Sequence, residues 1–280
     1  MLKRALIALA AAAAVALPSA AAAPQKAAPH RIISLSPTAT ESLFAIGAGK
    51  QVIAVDDQSD YPKSAPKTRL SGYTPNVEAI AKYRPDLVVI SNDVKGLRIS
   101  LTKLHIAVLL QPAARTLSAA YAQIRELGAR TGHGQQAKTV VARMRQRIRA
   151  AVSSAPHENL KVFHELSPDL YSAKSATFIG RVYALFGLEN IADAAPGTDY
   201  PQLSSEFVVA ANPDVIVLAD SRCCGQSRST VSSRPGWSGI SAVKTGTIVR
   251  VDDSIASRWG PRVVDYVRAV ASALKSLKAN

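Results

Sequence analysis

The residues best suited to chemistry in this sequence are aromatic and sulfur side chains, not a catalytic set. Tyr61, Tyr73, Tyr171 and Tyr200 each offer a flat apolar ring with a hydroxyl at its tip. For any one of them, ordinary surface or core packing is the equal alternative. Trp237 and Trp259 either cap a cleft or pack in a core. Arg258 is suited to pairing with an anionic group, or it stands in solvent. Cys223 and Cys224 are adjacent, so they cannot staple distant segments. In an oxidising compartment they can close on each other. As two thiolates they would be soft metal ligands, and two alone make a weak site. This is the chemistry of holding a molecule, not of converting one.

Catalytic signatures fail on inspection. Gly47-Ala48-Gly49-Lys50 lacks the first glycine of a phosphate loop and the Ser or Thr after its lysine, and it follows a helix. It suits a helix C-terminal turn instead. Gly236-Trp237-Ser238-Gly239 has the wrong spacing for a nucleophile elbow. His30, His105, His133, His157 and His164 show no metal-ligand spacing, so no protein-held metal or cofactor is expected. His164, inside a strand run, reads as a satisfied core histidine. Nothing in the sequence points to paired catalytic carboxylates; an enzyme is the second class of function, and the expectation is no enzyme.

The elements that must position these residues alternate β-branched runs with helical stretches, the pattern of α/β layers. Strands are expected at 31–35, 52–55, 87–91 and 107–110, then at 162–166, 215–219 and 247–251. Helices are expected at 38–46, 77–83, 118–131, 178–186, 206–211 and 263–277. Thr38 and Glu41 have the spacing of a capping box. Strand-to-helix turns line the cleft in open α/β folds. That favours Ser36, Pro37 and Thr38 in the first half, and Ser167 with nearby Tyr171 in the second. Cys223 and Cys224 follow the strand at 215–219, which puts them at the cleft mouth.

Three landmarks recur in order. Leu35-Ser36-Pro37 is echoed by Leu166-Ser167-Pro168, and Asp60-Tyr61-Pro62 by Asp199-Tyr200-Pro201. Glu78 precedes Pro85-Asp86-Leu87 by the interval at which Glu206 precedes Pro213-Asp214-Val215. Three echoes in order argue for two similar lobes. Between them Val140, Val141, Met144, Ile148 and Val152 have helical spacing with no Pro or Gly, which suits a stiff spine.

The chain carries a formal charge of +14. Its first two dozen residues run Lys3-Arg4, an apolar stretch from 5 to 17, then Pro18-Ser19 and small alanines, the order of a secretory leader at 1–23. No cysteine follows it to accept a lipid, so a free periplasmic protein is expected. Without Lys3 and Arg4 the charge is +12. Export and the scatter of the cations argue against nucleic acid. The densest group, Arg143, Arg145, Arg147 and Arg149, reads as a solvated helix face.

Together these residues resemble a known family, the periplasmic binding proteins of ABC importers for vitamin B12, iron-siderophores and haem. The resemblance runs from 31 to 277. It is carried by Arg31-Ile32-Ile33-Ser34-Leu35-Ser36-Pro37 with Thr40-Glu41, by Ser59-Asp60-Tyr61-Pro62, by Gly72-Tyr73 through Asn76-Val77-Glu78-Ala79-Ile80, and by Arg84-Pro85-Asp86-Leu87-Val88. Tyr200 through Glu206 and Arg258 through Arg262 complete it. It implies an α/β fold of two Rossmann-like lobes, 31–133 and 157–280, joined by a single long helix at 134–156. It implies a metal chelate held between them as cargo rather than cofactor: a cobalamin or other corrinoid first, a ferric siderophore second, haem third. The implied partners are a membrane permease and its ATPase, with the chain a monomer, and Glu78 and Glu206 dock on the permease. Tyr73 and Tyr200 match positions where relatives place cleft aromatics, often Trp in the B12 binders. Gly72-Tyr73 also fits the context in which a tyrosine ligates haem iron in haem-binding relatives. Cys223-Cys224 departs from the better-known relatives, and a sensor or a two-lobed enzyme is the alternative use of the fold.

Overall fold

The computed structural model describes residues 27–156 and 159–279. The expected leader at 1–23 lies outside the described residues, as does His157. The chain builds two four-stranded sheets. The first holds β1 (Ile32–Leu35), β2 (Val52–Val55), β3 (Leu87–Ile90) and β4 (Ala107–Leu110) in the order β2-β1-β3-β4. The second holds β5 (Lys161–Glu165), β6 (Glu189–Asn190), β7 (Val215–Leu218) and β8 (Ile248–Arg250) in the order β6-β5-β7-β8. Every pairing is parallel, so the two halves share one topology. Central strands such as Leu87-Val88-Val89-Ile90 are buried throughout, as a sheet covered on both faces requires.

The helices are α1 (Pro37–Ala45), α2 (Val77–Lys82), α3 (Leu97–Lys103), α4 (Leu117–Thr131), α5 (Gly134–Ser153), α6 (Phe178–Ala184), α7 (Ser205–Ala211), α8 (Arg228–Ser232), α9 (Ser241–Lys244), α10 (Asp253–Ala256) and α11 (Val263–Ala279). The expected strands and helices all form, with ends shifted by a residue or two. Strand β6 and helices α3, α8, α9 and α10 were not anticipated; they are short and most lack a long periodic stripe. The capping box at Thr38 is corrected. Pro37 has no N–H to give and starts the helix, so Ser36 is the cap, its hydroxyl accepting from the Ala39 N–H at 3.4 Å. Glu41 is thereby free for other work.

The Pro-Asp echo has a shared mechanism. The Asp86 carboxylate accepts the His30 and Arg31 N–H groups, both at 2.9 Å, while its own N–H donates to the Arg31 carbonyl. Asp214 does the same with Lys161, at 2.9 Å. Each aspartate fixes where a third strand starts beside its neighbour.

Helix α5 buries Ala137, Val141, Met144, Ile148 and Ala151 against α4 and α11. One apolar core thereby runs from the first lobe through α4, α5 and α11 into the second. Each lobe keeps a smaller cluster on the other face of its sheet. Among the described residues no helix is long and apolar enough to cross a membrane.

Candidate functional site

Parallel strands end on one edge, so the turns that follow them converge. Those after β1, β2, β3 and β4 bring Ser36, Pro37, Thr38, Asp56, Gln58, Asn92 and Ala113 to one hollow, with Gly72 and Tyr73 beside them. A Cβ on Gly72 would stand 2.8 Å from the Leu35 carbonyl oxygen, so only glycine lets that turn lie against β1. Ser257, Arg258 and Trp259 close the hollow from the second lobe. A second hollow opens on the other side of Trp259, lined by Ala113, Arg115, Thr177, Phe178, Asp199 and Tyr200 among others. Trp259 thus stands between two compartments of one cleft. Its indole N–H donates to Gln123 Oε1 at 2.8 Å and fixes the ring.

Six large apolar or aromatic side chains are exposed among the described residues, and four of them are the expected tyrosines. Tyr73 is 73 % exposed, Tyr200 50 %, Tyr61 44 % and Tyr171 43 %. Only Tyr73 and Tyr200 line the hollows, one on each side of Trp259. Burial, and then Asp199, push the Tyr200 phenol up, so its hydroxyl stays a donor at neutral pH. Tyr61 lies instead under the Arg262 guanidinium, 4.2 Å from its ring centre. Tyr171 pairs with Gln202 in a short bridge.

Trp237 is a correction: it is fully buried, edge-on to Phe163, with its N–H donating to Ser205 Oγ at 2.7 Å, and it lines neither hollow. Ser167 is another. Where Ser36 caps a helix, Ser167 opens a turn closed by the Leu170 N–H on its carbonyl, and its hydroxyl is buried with no partner. Cys223 and Cys224 are joined as a vicinal disulfide on an exposed turn, which removes the free thiolates, and the pair lines neither hollow. The Asp253 carboxylate holds that turn by accepting the Arg222 and Cys223 N–H groups.

The charges of the cleft are residues that sequence reasoning missed, or whose partners it missed. Arg258 donates to Glu41 at 2.9 Å, Asp60 at 2.8 Å and the Gln58 carbonyl at 2.9 Å. Arg262 donates to the same Glu41 oxygen at 2.5 Å. Arg222 reaches Asp60 at 3.6 Å and Asp252 at 3.1 Å. Burial opposes ionisation of Asp60, but the hydrogen bond and charge of Arg258 hold its carboxyl below the ordinary carboxylate range. Toward the second hollow, Arg115 of the first lobe pairs with Asp199 of the second at 3.2 Å. The echoed Asp-Tyr-Pro turns were the available signal: each aspartate crosses to the other lobe. On the cleft floor Asp56 accepts from Ser59 Oγ at 2.5 Å, and burial pushes its carboxyl up to about 6.

Deeper in the second lobe Glu165 takes a bidentate pair from Arg234, both contacts at 2.6 Å. Burial, and then Glu165, push the neighbouring Asp220 carboxyl up. His164 is buried against Tyr183 and Tyr266; burial takes its pKa down to about 3, so it is a neutral core residue and not a cleft ligand. Among the described residues no three His, Cys, Asp or Glu side chains come together to hold a metal ion.

Glu78 and Glu206 stand at matching places. Asn76 caps α2 by accepting from the Ala79 N–H, and Ser204 caps α7 by accepting from the Phe207 N–H. Each glutamate is the second residue of its helix and exposed. The Glu206 carboxyl is held below the ordinary range by its own backbone N–H and then by the Ser204 hydroxyl.

A profile of the family described as periplasmic binding protein matches residues 32–255. The chain is 31% identical, over 88% of its length and 80% of the relative's, to an uncharacterised ABC transporter substrate-binding lipoprotein of Bacillus subtilis. It is 30% identical to a cobalamin-binding protein of Halobacterium salinarum, over 88% of this chain and 69% of that one. Among solved structures it is similar to the periplasmic vitamin B12 binding protein of Vibrio cholerae. That match has a TM-score of 0.75 and 26% identity, covering 90% of this chain and 99% of that one.

Proposed function

The chain belongs to the periplasmic binding protein family, and on that premise we propose that it captures a corrinoid outside the cytoplasmic membrane and delivers it to an ABC importer. One observation carries the choice of cargo. Both guanidinium groups that line the hollows are already paired with carboxylates of the chain: Arg258 with Glu41 and Asp60, Arg115 with Asp199. A ferric catecholate or the carboxylates of haem would reach a free cation there only by displacing those carboxylates, most expensively at the nearly buried Arg258. A chelate of low net charge, rimmed by amides, needs none. Tyr73, Trp259 and Tyr200 offer it flat apolar surface, and phenol hydroxyls to meet amide oxygens. The names of the relatives support the same cargo. Exposed Glu78 and Glu206, one per lobe on equivalent helix starts, suit docking on basic groups of a permease. The ATPase of such an importer would then be an indirect partner, and the protein itself a monomeric, non-catalytic carrier.

Haem is the second reading, favoured by the exposed phenol of Tyr73 next to Gly72. Titration separates the two. Cyanocobalamin should bind and raise thermal stability, while haemin and ferric catecholates bind at least about tenfold more weakly, the equivalent of one unmet charged hydrogen bond. Trp259→Ala should lower cobalamin affinity about thirtyfold, as loss of a central aromatic anchor does. Tighter binding of haemin, abolished by Tyr73→Phe, would replace the corrinoid reading with haem. Reversing Glu78 and Glu206 to Lys should abolish uptake and spare cargo binding.

A further inference from the structure

The cargo reading leaves the chain's large positive charge without a use, and the fold shows where much of it is gathered. From His133 to Pro156 there is no acidic residue. Within that stretch α5 carries Lys138, Arg143, Arg145, Arg147 and Arg149, all exposed, and none forms an ion pair among the described residues.

Helical geometry sorts these cations into two rows. Lys138, Arg145 and Arg149 flank the buried stripe on the α4 side, where Arg145 lies 5.0 Å from the centre of the Tyr121 ring. Arg143 and Arg147 flank it on the α11 side, where Arg147 shares a groove with Arg268 and Lys275. Between the rows the outward face has only small or neutral side chains: Gln135, Ala142, Gln146, Ala150 and Ser153. Nothing bulky stands there to hold the helix off a flat surface.

The position of α5 matters as much as its charge. Arg115, just before α4, lines the cleft, and α4 runs 15 residues, about 22 Å, away from it. Helix α5 starts at that far end, and the chain enters β5 shortly after α5 closes. The spine therefore crosses the ends of the sheets where strands begin, opposite the turns that build the cleft. Glu78 and Glu206 start their helices on the cleft side, so the molecule is basic at the back and acidic at its two docking points.

We propose that the arginine-lined back of α5 is a peripheral docking surface for an anionic phospholipid bilayer. The fit is one of charge and flatness. Each Lys or Arg at such a surface shifts partition by about fivefold, and two rows straddling a low ridge let both reach the headgroups. The apolar stripe of α5 is spent on α4 and α11, so nothing is left to insert, and binding is electrostatic, reversible and weakened by salt. A duplex nucleic acid fits less well, because that face offers no aromatic to stack and no element to enter a groove. The inference rests only on the charge layout, and not on the identity of the cargo.

The test is sedimentation of the full chain with phosphatidylcholine vesicles, with and without phosphatidylglycerol, at low and physiological ionic strength. Wild type should sediment with the phosphatidylglycerol vesicles at low salt and release as salt rises. Changing Arg143, Arg145, Arg147 and Arg149 together to Gln should lower that binding by more than about tenfold. A variant of equal charge loss elsewhere (Lys63→Gln, Lys67→Gln, Arg69→Gln and Lys82→Gln) should keep it. Circular dichroism and cobalamin titration show that each variant is folded. Equal loss in the two variants would reduce the effect to net charge and overturn the site. No preference for phosphatidylglycerol, or tighter arginine-dependent binding to duplex DNA than to vesicles, would overturn the bilayer as the partner.

Discussion

Two turns of like sequence, Asp60-Tyr61-Pro62 and Asp199-Tyr200-Pro201, sit on opposite lobes, and each sends its aspartate to an arginine of the other. They are held very differently. Around Asp60, the Arg258 side chain is 12 % exposed and Glu41, its second partner, 1 %. Arg262 adds a third contact and covers the Tyr61 ring. Around Asp199, the Arg115 side chain is 71 % exposed and Asp199 itself 39 %, with no buried second carboxylate beside them among the described ion pairs. Coulomb attraction is several times stronger out of water than in it, and salt screens only the exposed pair well. The duplication thus provides two reciprocal crossings, and burial makes one a fixed joint and leaves the other loose. The tyrosines follow suit. Tyr61 is committed to Arg262, whereas Tyr200 lines the cleft with no guanidinium stacked on it among the described residues.

The largest effect should come from removing the buried end of that comparison. Glu41→Ala strips one carboxylate from two nearly buried guanidinium groups, and breaking one partner of such a cluster costs about 3–5 kcal/mol. Denaturant midpoints at neutral pH measure it. A loss below about 1 kcal/mol would mean that Arg258 and Arg262 find water or Asp60 instead, and that the two ends differ less than their burial suggests.

That joint is also what sequence reading could not find. The strands were legible because unbroken runs such as Val215-Ile216-Val217-Leu218 have no other comfortable place than a doubly covered sheet. Helix α5 was legible from its spacing, and the Pro-Asp corners from a local rule about the residue before proline. Glu41 looked like a helix-start carboxylate because its neighbours permit that, and its real partner lies 217 positions away. Trp237 and Trp259 looked alike for the same reason. One meets Phe163 and Ser205 inside a lobe, the other Gln123 across the cleft, and none of these three partners is local. The echo of Ser36 in Ser167 misled because the sheet is duplicated while the first strand-to-helix turn is not.

The buried end should also answer to pH. Asp56, next to the joint through Ser59, has its pKa raised to about 6 from 3.8. The folded state therefore holds its proton over a window where the unfolded chain has lost it. The stability this proton gives is complete below about pH 4 and is lost as pH rises through 6. The shift corresponds to about 3 kcal/mol. Asp56→Asn has no proton to lose there, so the difference between wild type and variant should shrink or reverse between acid and neutral pH. Parallel curves for the two proteins would show that Asp56 titrates alike in the folded and the unfolded chain.

The smallest effect is expected at the exposed end, and it sharpens the contrast most. Arg115→Ala removes a pair of the kind worth about 0–1 kcal/mol, so the unfolding midpoint should barely move and the shift should vanish in salt. The local consequence should be larger than the global one. The Asp199 carbonyl accepts the Lys174 N–H, and the Pro201 carbonyl accepts the Ser172 N–H, so these two amides report whether the turn is held. Loosening the turn should speed their hydrogen exchange in Arg115→Ala while amides of β1 and β3 stay protected. The Asp60 end, still tied by Glu41, should be unchanged. If Arg115→Ala destabilised the protein as much as Glu41→Ala, exposure would not be what separates the two crossings, and the loose end would be a second joint.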